Sequence, residues 1–172
     1  CYNLALGLTR VGVRAAWSCD FGSDPFSHLV LDAAKADGID PSAFRYAGHS
    51  LQQVSAAFSS HGERGFITYR EAALRAPDAD LLARLEPQWL LQTFRLAPDW
   101  LEFMAAAKAA GVRIFGDCNG EAADLATPGA RAFIGLCDVF SPNEAEAMTL
   151  TGASGAEEAL MRLADLAPTV VV

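Results

Sequence analysis

The chain has 172 residues, 52% hydrophobic and 20% charged, with a mean hydropathy of +0.19, which places it with folded globular domains and away from disordered chains. Its formal net charge of −8 and pI of about 4.7 leave no basic field for the phosphates of a nucleic acid or an anionic membrane, so neither is an expected partner. The only lysines are Lys35 and Lys108, neither in a glycine-rich loop, and Cys1, Cys19, Cys118 and Cys137 form no C-x-x-C pair or zinc spacing, which favours free thiols in a reducing cytoplasm.

Cys1 to Arg10 reads as an amphipathic helix and Val13 to Ser18 as a strand. The helix has no capping residue before it, and the closing run Pro168-Thr169-Val170-Val171-Val172 reads as a buried strand with no element after it. The expectation is a segment cut at both ends from a longer chain. Every long apolar run is broken by Lys, Arg, Asp or Gly, so no membrane span is expected. Asp24-Pro25 supplies an N-cap and an N1 proline for a helix over Phe26 to Ala36, which Gly38 ends. From Phe44 to Arg70 the pattern becomes extended, with Leu51 to Phe58 and Gly65 to Arg70 joined by a polar turn, the signal of a hairpin.

Helices and strands then alternate. Helices are expected over Ala79 to Leu85, Pro98 to Ala110, Pro128 to Leu136, Glu144 to Leu150 and Ala156 to Leu166, and strands over Trp89 to Thr93, Val112 to Asp117, Asp138 to Phe140 and up to Val172. Ser154 and Glu157 have the spacing of a capping box for the last helix. The short apolar strands with little alternation predict a parallel sheet covered by helices, and the hairpin, which breaks that rhythm, predicts a projecting cover.

Ligands of such sheets bind outside the carboxyl ends of the strands. Two clusters lie there: Gly116-Asp117-Cys118-Asn119-Gly120 and Ser141-Pro142-Asn143-Glu144-Ala145-Glu146-Ala147. Asn143 and Glu146 are one helical turn apart and reach one volume, where Glu146 has the chemistry to hold a hydrated Mg²⁺ carried on nucleotide phosphates. Equally, Asn143 caps the helix and Glu146 is a favourable first-turn acid, and local spacing alone favours this reading. Asp117 is open to both a functional and a turn-forming role. His28, His49 and His61 lack catalytic or metal spacing, Ser23-Asp24 reads as a cap, and neither a Gly-x-Gly-x-x-Gly nor a Walker pattern is present.

The order of Asn3-Leu4-Ala5-Leu6-Gly7-Leu8-Thr9-Arg10-Val11-Gly12, Phe21-Gly22-Ser23-Asp24-Pro25-Phe26 and Ala36-Asp37-Gly38-Ile39-Asp40 resembles the first half of the ribokinase-like, PfkB-type carbohydrate kinases. Gly62 to Arg70 is similar to their lid strand, Asp117-Cys118-Asn119 to their Asp-x-Asn strand end, and Ser141 to Ala147 to their Asn-x-x-Glu motif. The resemblance implies an α/β, ribokinase-like fold: a Rossmann-like parallel central sheet covered by helices, with a β-hairpin lid at about residues 44–70 in a partial kinase domain over 1–172.

It implies transfer of the ATP γ-phosphoryl group, with Mg²⁺, to a hydroxyl of a sugar, nucleoside or related small molecule. By that resemblance Asn3, Tyr69 and Arg70 are substrate-binding, Asn143, Asp117 and Asn119 nucleotide-binding, and Glu146 the metal-side residue. A homodimer paired through the lid is a further expectation. No Gly-Ala-Gly-Asp signature, which carries the family's catalytic base, occurs in the chain, so the expectation is that activity resides in a longer parent and that this segment is inactive by itself. Ser27 stands where the family usually has glycine after Asp-x-Phe. The alternative expectation is a catalytically silent relative that binds a small molecule or serves in an assembly.

Overall fold

The structure is a computed structural model and describes residues 2–60, 63–70, 75–118 and 123–172. The chain, expected as one partial domain, forms two compact units, 1–74 and 75–172.

The first unit opens with helix α1 (Tyr2–Arg10). Gly12, at φ +79°, turns the chain out of it with the amide of Val13 donating to the Leu8 carbonyl at 2.9 Å. The strand expected over Val13 to Ser18 is replaced by a single bridge at Ala16 to Asp40, and the ladder begins later, in β1 (Cys19–Phe21). The reason is the partner: β2 (Phe44–Tyr46) starts only after helix α2 (Pro25–Ala36) and a 3₁₀ turn at Pro41–Ala43, and it pairs in parallel with Cys19 to Phe21. Phe44 to Tyr46 therefore belongs to this pair and not to the hairpin.

Trp17 packs edge-on against Phe21 and Phe44, with centroids 5.9 and 6.1 Å apart, in a small core with Ala5, Leu31, Ala34 and Ile39. On the other face of the pair, Arg45 donates to both carboxylate oxygens of Asp20 at 2.6 and 2.8 Å.

The hairpin is β3 (Gln53–Ser60) against β4 (Glu63–Arg70), antiparallel from Gln53↔Arg70 to Ser60↔Glu63. Directly opposed residues share a face, so Val54, Ala56 and Phe58 line up with Tyr69, Ile67 and Gly65. The Phe58 ring lies over Gly65, in the space a side chain there would occupy. This face stays in solvent: Ile67 is 70% and Tyr69 56% exposed.

The second unit follows the expected alternation closely. Its elements are α3 (Asp80–Leu85), β5 (Trp89–Thr93), α4 (Pro98–Ala109), β6 (Arg113–Asp117), α5 (Ala130–Leu136), β7 (Val139–Ser141), α6 (Glu144–Thr151), α7 (Ala156–Ala164) and β8 (Thr169–Val170). The four strands form one parallel sheet in the order β5-β6-β7-β8.

Phe94, Met104, Ile114, Phe133, Ile134, Phe140 and Leu163 are fully buried around it, with Phe94 and Phe133 edge-to-face at 4.9 Å. A β-carbon on Gly116 would lie 2.5 Å from Cys137 Sγ, so β6 needs glycine to let the core close. At the amino end of the sheet, Asp138 accepts from Lys108 Nζ at 2.8 Å and from the Ile114 amide at 2.7 Å.

The cap of α7 differs from the expected Ser154–Glu157 box. The helix begins one residue later than that spacing assumes, so Glu158 occupies the third helical position and accepts from both the amide and the hydroxyl of Ser154 at 3.1 Å. Among the described residues, no helix is long and apolar enough to cross a membrane.

Candidate active site

The parallel register of the second unit places Thr93, Asp117 and Ser141 side by side at the carboxyl ends of β5, β6 and β7. The row is knitted further where the Phe94 amide donates to the Asp117 carbonyl at 2.7 Å. Its edge is where a parallel α/β sheet presents a ligand to loops and helix N-termini.

The chain leaves β7 through Ser141-Pro142 and enters α6 at once. Asn143 caps this helix: its Oδ1 accepts from the Glu146 amide at 2.9 Å, while Glu146 Oε2 accepts from the Asn143 amide at 2.9 Å. The capping role favoured by local spacing is therefore present, and it holds the two candidate residues in one rigid turn. Glu146 Oε1 accepts no hydrogen bond among the described residues.

The charge of Glu146 also acts on Asp117. Partial burial raises the Asp117 carboxyl above the ordinary carboxylate range, and the negative charge of Glu146 raises it further. Sequence spacing brings together Asn143 and Glu146; the sheet register adds Asp117 from a strand 26 residues earlier in the chain. Thr93 falls in the same row through the pairing of β5 with β6, although nothing in its local sequence marks it.

Two neighbouring carboxylates and a helix N-terminus suit a phosphate group with its divalent cation. Mg²⁺ on nucleotide phosphates takes only one or two protein carboxylates and keeps its waters. Among the described residues, no cluster of three or more His, Cys, Asp or Glu side chains could hold a metal alone. The chemistry of Asp117 and Glu146 thus fits an ion that arrives on a phosphate rather than one held by protein side chains alone.

The acceptor-side candidates lie in the first unit. Asn3 is exposed on the first turn of α1. Tyr69 is exposed on β4 opposite Val54, and Arg70 ends β4 opposite Gln53, its side chain falling outside what the structure describes. Asn119 lies outside the described residues. The structure shows no hydrogen bond between Asn3 and Tyr69 among the described residues.

Asp24 is more than the cap that its sequence suggests. It is 4% exposed, and its Oδ1 accepts from the Ser27 amide at 2.9 Å while Oδ2 accepts from Ser27 Oγ at 2.8 Å and the Leu51 amide at 3.0 Å. The Leu51 bond is the main cause of a carboxyl held down to about 2, with the Ser27 bonds adding to it against the effect of burial. The cap was legible from Asp24-Pro25; the link to Leu51 was not, because it joins residues 27 positions apart.

A four-stranded parallel sheet with acids and a capped helix at its carboxyl end, accompanied by a separate antiparallel hairpin, is the ribokinase-like class of α/β fold, and solved structures of that class superpose on the chain. A PfkB protein from Polaromonas sp. JS666 matches with a TM-score of 0.81 at 21% identity, over 99% of this chain and 64% of that one. A fructokinase from Halothermothrix orenii matches with a TM-score of 0.79 at 19% identity, over 96% of this chain and 63% of that one. A fructokinase from Xylella fastidiosa with bound ATP gives 0.76 at 20% identity, over 99% and 59%.

The particular family follows from the sequence: the model for the pfkB family carbohydrate kinases matches residues 2–172, and the chain belongs to that family. Among curated relatives, a probable fructokinase-3 of Arabidopsis thaliana is 31% identical over 83 residues, 48% of this chain and 23% of the relative. Fructokinase-2 of Oryza sativa subsp. japonica is 30% identical over 81 residues, 46% of this chain and 23% of the relative. The chain thus spans less than two thirds of the solved structures, and its match covers about a quarter of the curated relatives.

Proposed function

We propose that this chain is part of a kinase that transfers the γ-phosphoryl group of ATP to a hydroxyl of a sugar or related small molecule. The observation that carries the reading is the acid pair Asp117 and Glu146, set with the Asn143 cap at the carboxyl end of a parallel sheet in a chain matched by the carbohydrate-kinase family over residues 2–172. Fructokinases among the relatives and an ATP-bound fructokinase among the solved structures support a sugar as acceptor and ATP as donor.

In this reading the second unit binds the nucleotide. The N-terminus of α6, with Asn143, would orient the phosphates, Asp117 and Asn119 would serve in nucleotide binding, and Glu146, steadied by the cap, would help hold a phosphate-borne Mg²⁺. The bound Mg²⁺ and ATP would supply the transferable phosphoryl group and neutralise charge developing on it. The first unit orients the acceptor through Asn3, Tyr69 and Arg70, and the β3–β4 hairpin serves as a lid that excludes water, a competing acceptor. The exposed apolar side chains Phe58, Ile67 and Tyr69 support pairing of two copies through that lid. A cytoplasmic setting is consistent with the free thiols of Cys19 and Cys137, the latter buried and pushed up to about 12, chiefly by that burial.

The test uses the full-length protein with ATP, Mg²⁺ and a panel of acceptors that includes fructose, other sugars and nucleosides. Turnover dependent on one acceptor is expected, and none above background with any of them overturns the reading. Glu146→Gln separates the two uses of that side chain, because Gln keeps the capping bond but not the charge. Thermal stability should stay close to wild type, while the Mg²⁺ concentration needed for half-maximal rate rises about tenfold or more.

A further inference from the structure

We infer that Asp24 is a positioning residue that fixes the root of the β3–β4 hairpin, and through it the acceptor-side residues Tyr69 and Arg70 that β4 carries. The inference rests on the kinase reading only for what the hairpin does, since the anchoring itself is a matter of geometry within the first unit.

Capping α2 requires one acceptor for one amide, and Asp24 Oδ1 meets that need by accepting from Ser27 at 2.9 Å. The second oxygen faces away from that task. Oδ2 accepts from the Leu51 amide at 3.0 Å, two residues before β3 begins at Gln53. It also accepts from Ser27 Oγ at 2.8 Å, and that hydroxyl oxygen in turn accepts from the Gly22 amide at 2.9 Å. A buried carboxylate satisfied by three donors is a rigid joint, because each bond to a charged group is stronger than a neutral one and none is exchanged freely with water.

The joint has a second strand of support. Ser23 donates its amide to the His49 carbonyl at 3.0 Å and Ala47 donates to the Phe21 carbonyl at 2.8 Å, so the segment from β2 to β3 is laced to residues 21–24 along most of its length. The approach is close enough that Gly22 admits no side chain: a β-carbon there would lie 2.7 Å from Asp24 Oδ2 and 2.8 Å from the His49 carbonyl, and it would collide with the Leu51 amide. Among the described residues, the large apolar side chains on both faces of the hairpin, Phe58, Phe66, Ile67 and Tyr69, are exposed and give it little hold by packing. Its direction is therefore set at the root, and Leu51 is where Asp24 grips it.

The test compares Asp24→Ser and Asp24→Asn with Ala34→Gly, a control that weakens α2 and leaves the joint intact. Serine caps the helix but is too short to reach Leu51; asparagine has one acceptor oxygen where two are used. Amide hydrogen exchange is read by segment. With either Asp24 variant, the amides of residues 53–60 and 63–70 should exchange about tenfold faster or more, the change expected when a hydrogen bond to a charged group is lost, while those of α2 move no more than in Ala34→Gly.

In the full-length enzyme the KM for the acceptor should rise about tenfold and that for ATP stay within about twofold. Hairpin exchange no faster than in Ala34→Gly, or acceleration shared evenly across residues 2–70, overturns the inference, and so does an equal rise in both KM values. Absence of turnover with every acceptor overturns the kinase reading instead and leaves hydrogen exchange to decide the role of Asp24. If Asp24→Asn does not fold, Asp24→Ser carries the same measurement.

Discussion

The two sheets that bear the candidate residues solve opposite problems. The parallel sheet of the second unit buries one face, where Ile114 and Phe140 pack with Phe94 and Phe133, and its strands are paired in register. The hairpin of the first unit is two strands only, its apolar side chains in solvent and its position held by hydrogen bonds at one end. A packed sheet keeps its geometry through burial, and that fixes where Asp117 stands at its carboxyl end. A hairpin tied at its root keeps its direction but gains little from packing, which is the property the proposed lid role would use.

The sharpest way to break the comparison is to empty one core and leave the other surface alone. Phe133→Ala should lower stability of the second unit by about 3–5 kcal/mol, the usual cost of removing a fully buried aromatic ring, whereas Ile67→Ser on the hairpin should change stability by less than about 0.5 kcal/mol. Urea denaturation followed by circular dichroism measures both. Equal losses would show that the hairpin face is packed in the folded protein.

The next effect belongs to the joint at Asp24. Its carboxyl, held at about 2 against an ordinary 3.8, is ionised in the folded protein before it would be in the unfolded chain. Because the folded value is the lower one, the stabilisation is complete above about pH 4 and is lost as pH falls toward about 2. Urea midpoints of wild type and Asp24→Asn should therefore differ at neutral pH and converge over that acid window. A gap that stays constant down to about pH 2 would mean that the charge contributes nothing.

A smaller change is expected at the cap of α6. Asn143→Ala removes the acceptor for the Glu146 amide but keeps the backbone amide that Glu146 Oε2 accepts from; it should cost about 1 kcal/mol and raise the KM for MgATP as the first turn of α6 loosens. Melting temperature and initial-rate kinetics on the full-length protein check the two parts separately. A normal KM in a destabilised variant would confine Asn143 to capping.

Much of the second unit was legible in the residues. The alternation of apolar strands and helices over Trp89 to Val172 placed every element within a few positions, because each strand is a short, mostly apolar run set off by turns and helix caps. The first unit was harder to read. Val13 to Ser18 has the composition of a strand, yet the ladder sits at Cys19 to Phe21, since strand pairing depends on where Phe44 arrives after α2 and not on propensity.

The candidate site divides in the same way. Asn143 and Glu146 were visible as a pair because a helical turn fixes their spacing. Asp117 was visible as a strand end without a partner, while Thr93 had no local mark at all.

By itself the sequence determined that this chain is an acidic α/β protein with a hairpin set into a βαβ series, and its ordered motifs carried the resemblance to the carbohydrate kinases that the family match bears out. Periodicity, caps and motif order are local, so they survive in a string of letters. Only the tertiary structure decided that Asp117 and Glu146 share one electrostatic environment, that Phe44 to Tyr46 leaves the hairpin for a parallel pair, and that Asp24 reaches Leu51. Each of these depends on strand register or on a contact across more than twenty residues, and register is set by which buried faces meet when the core closes.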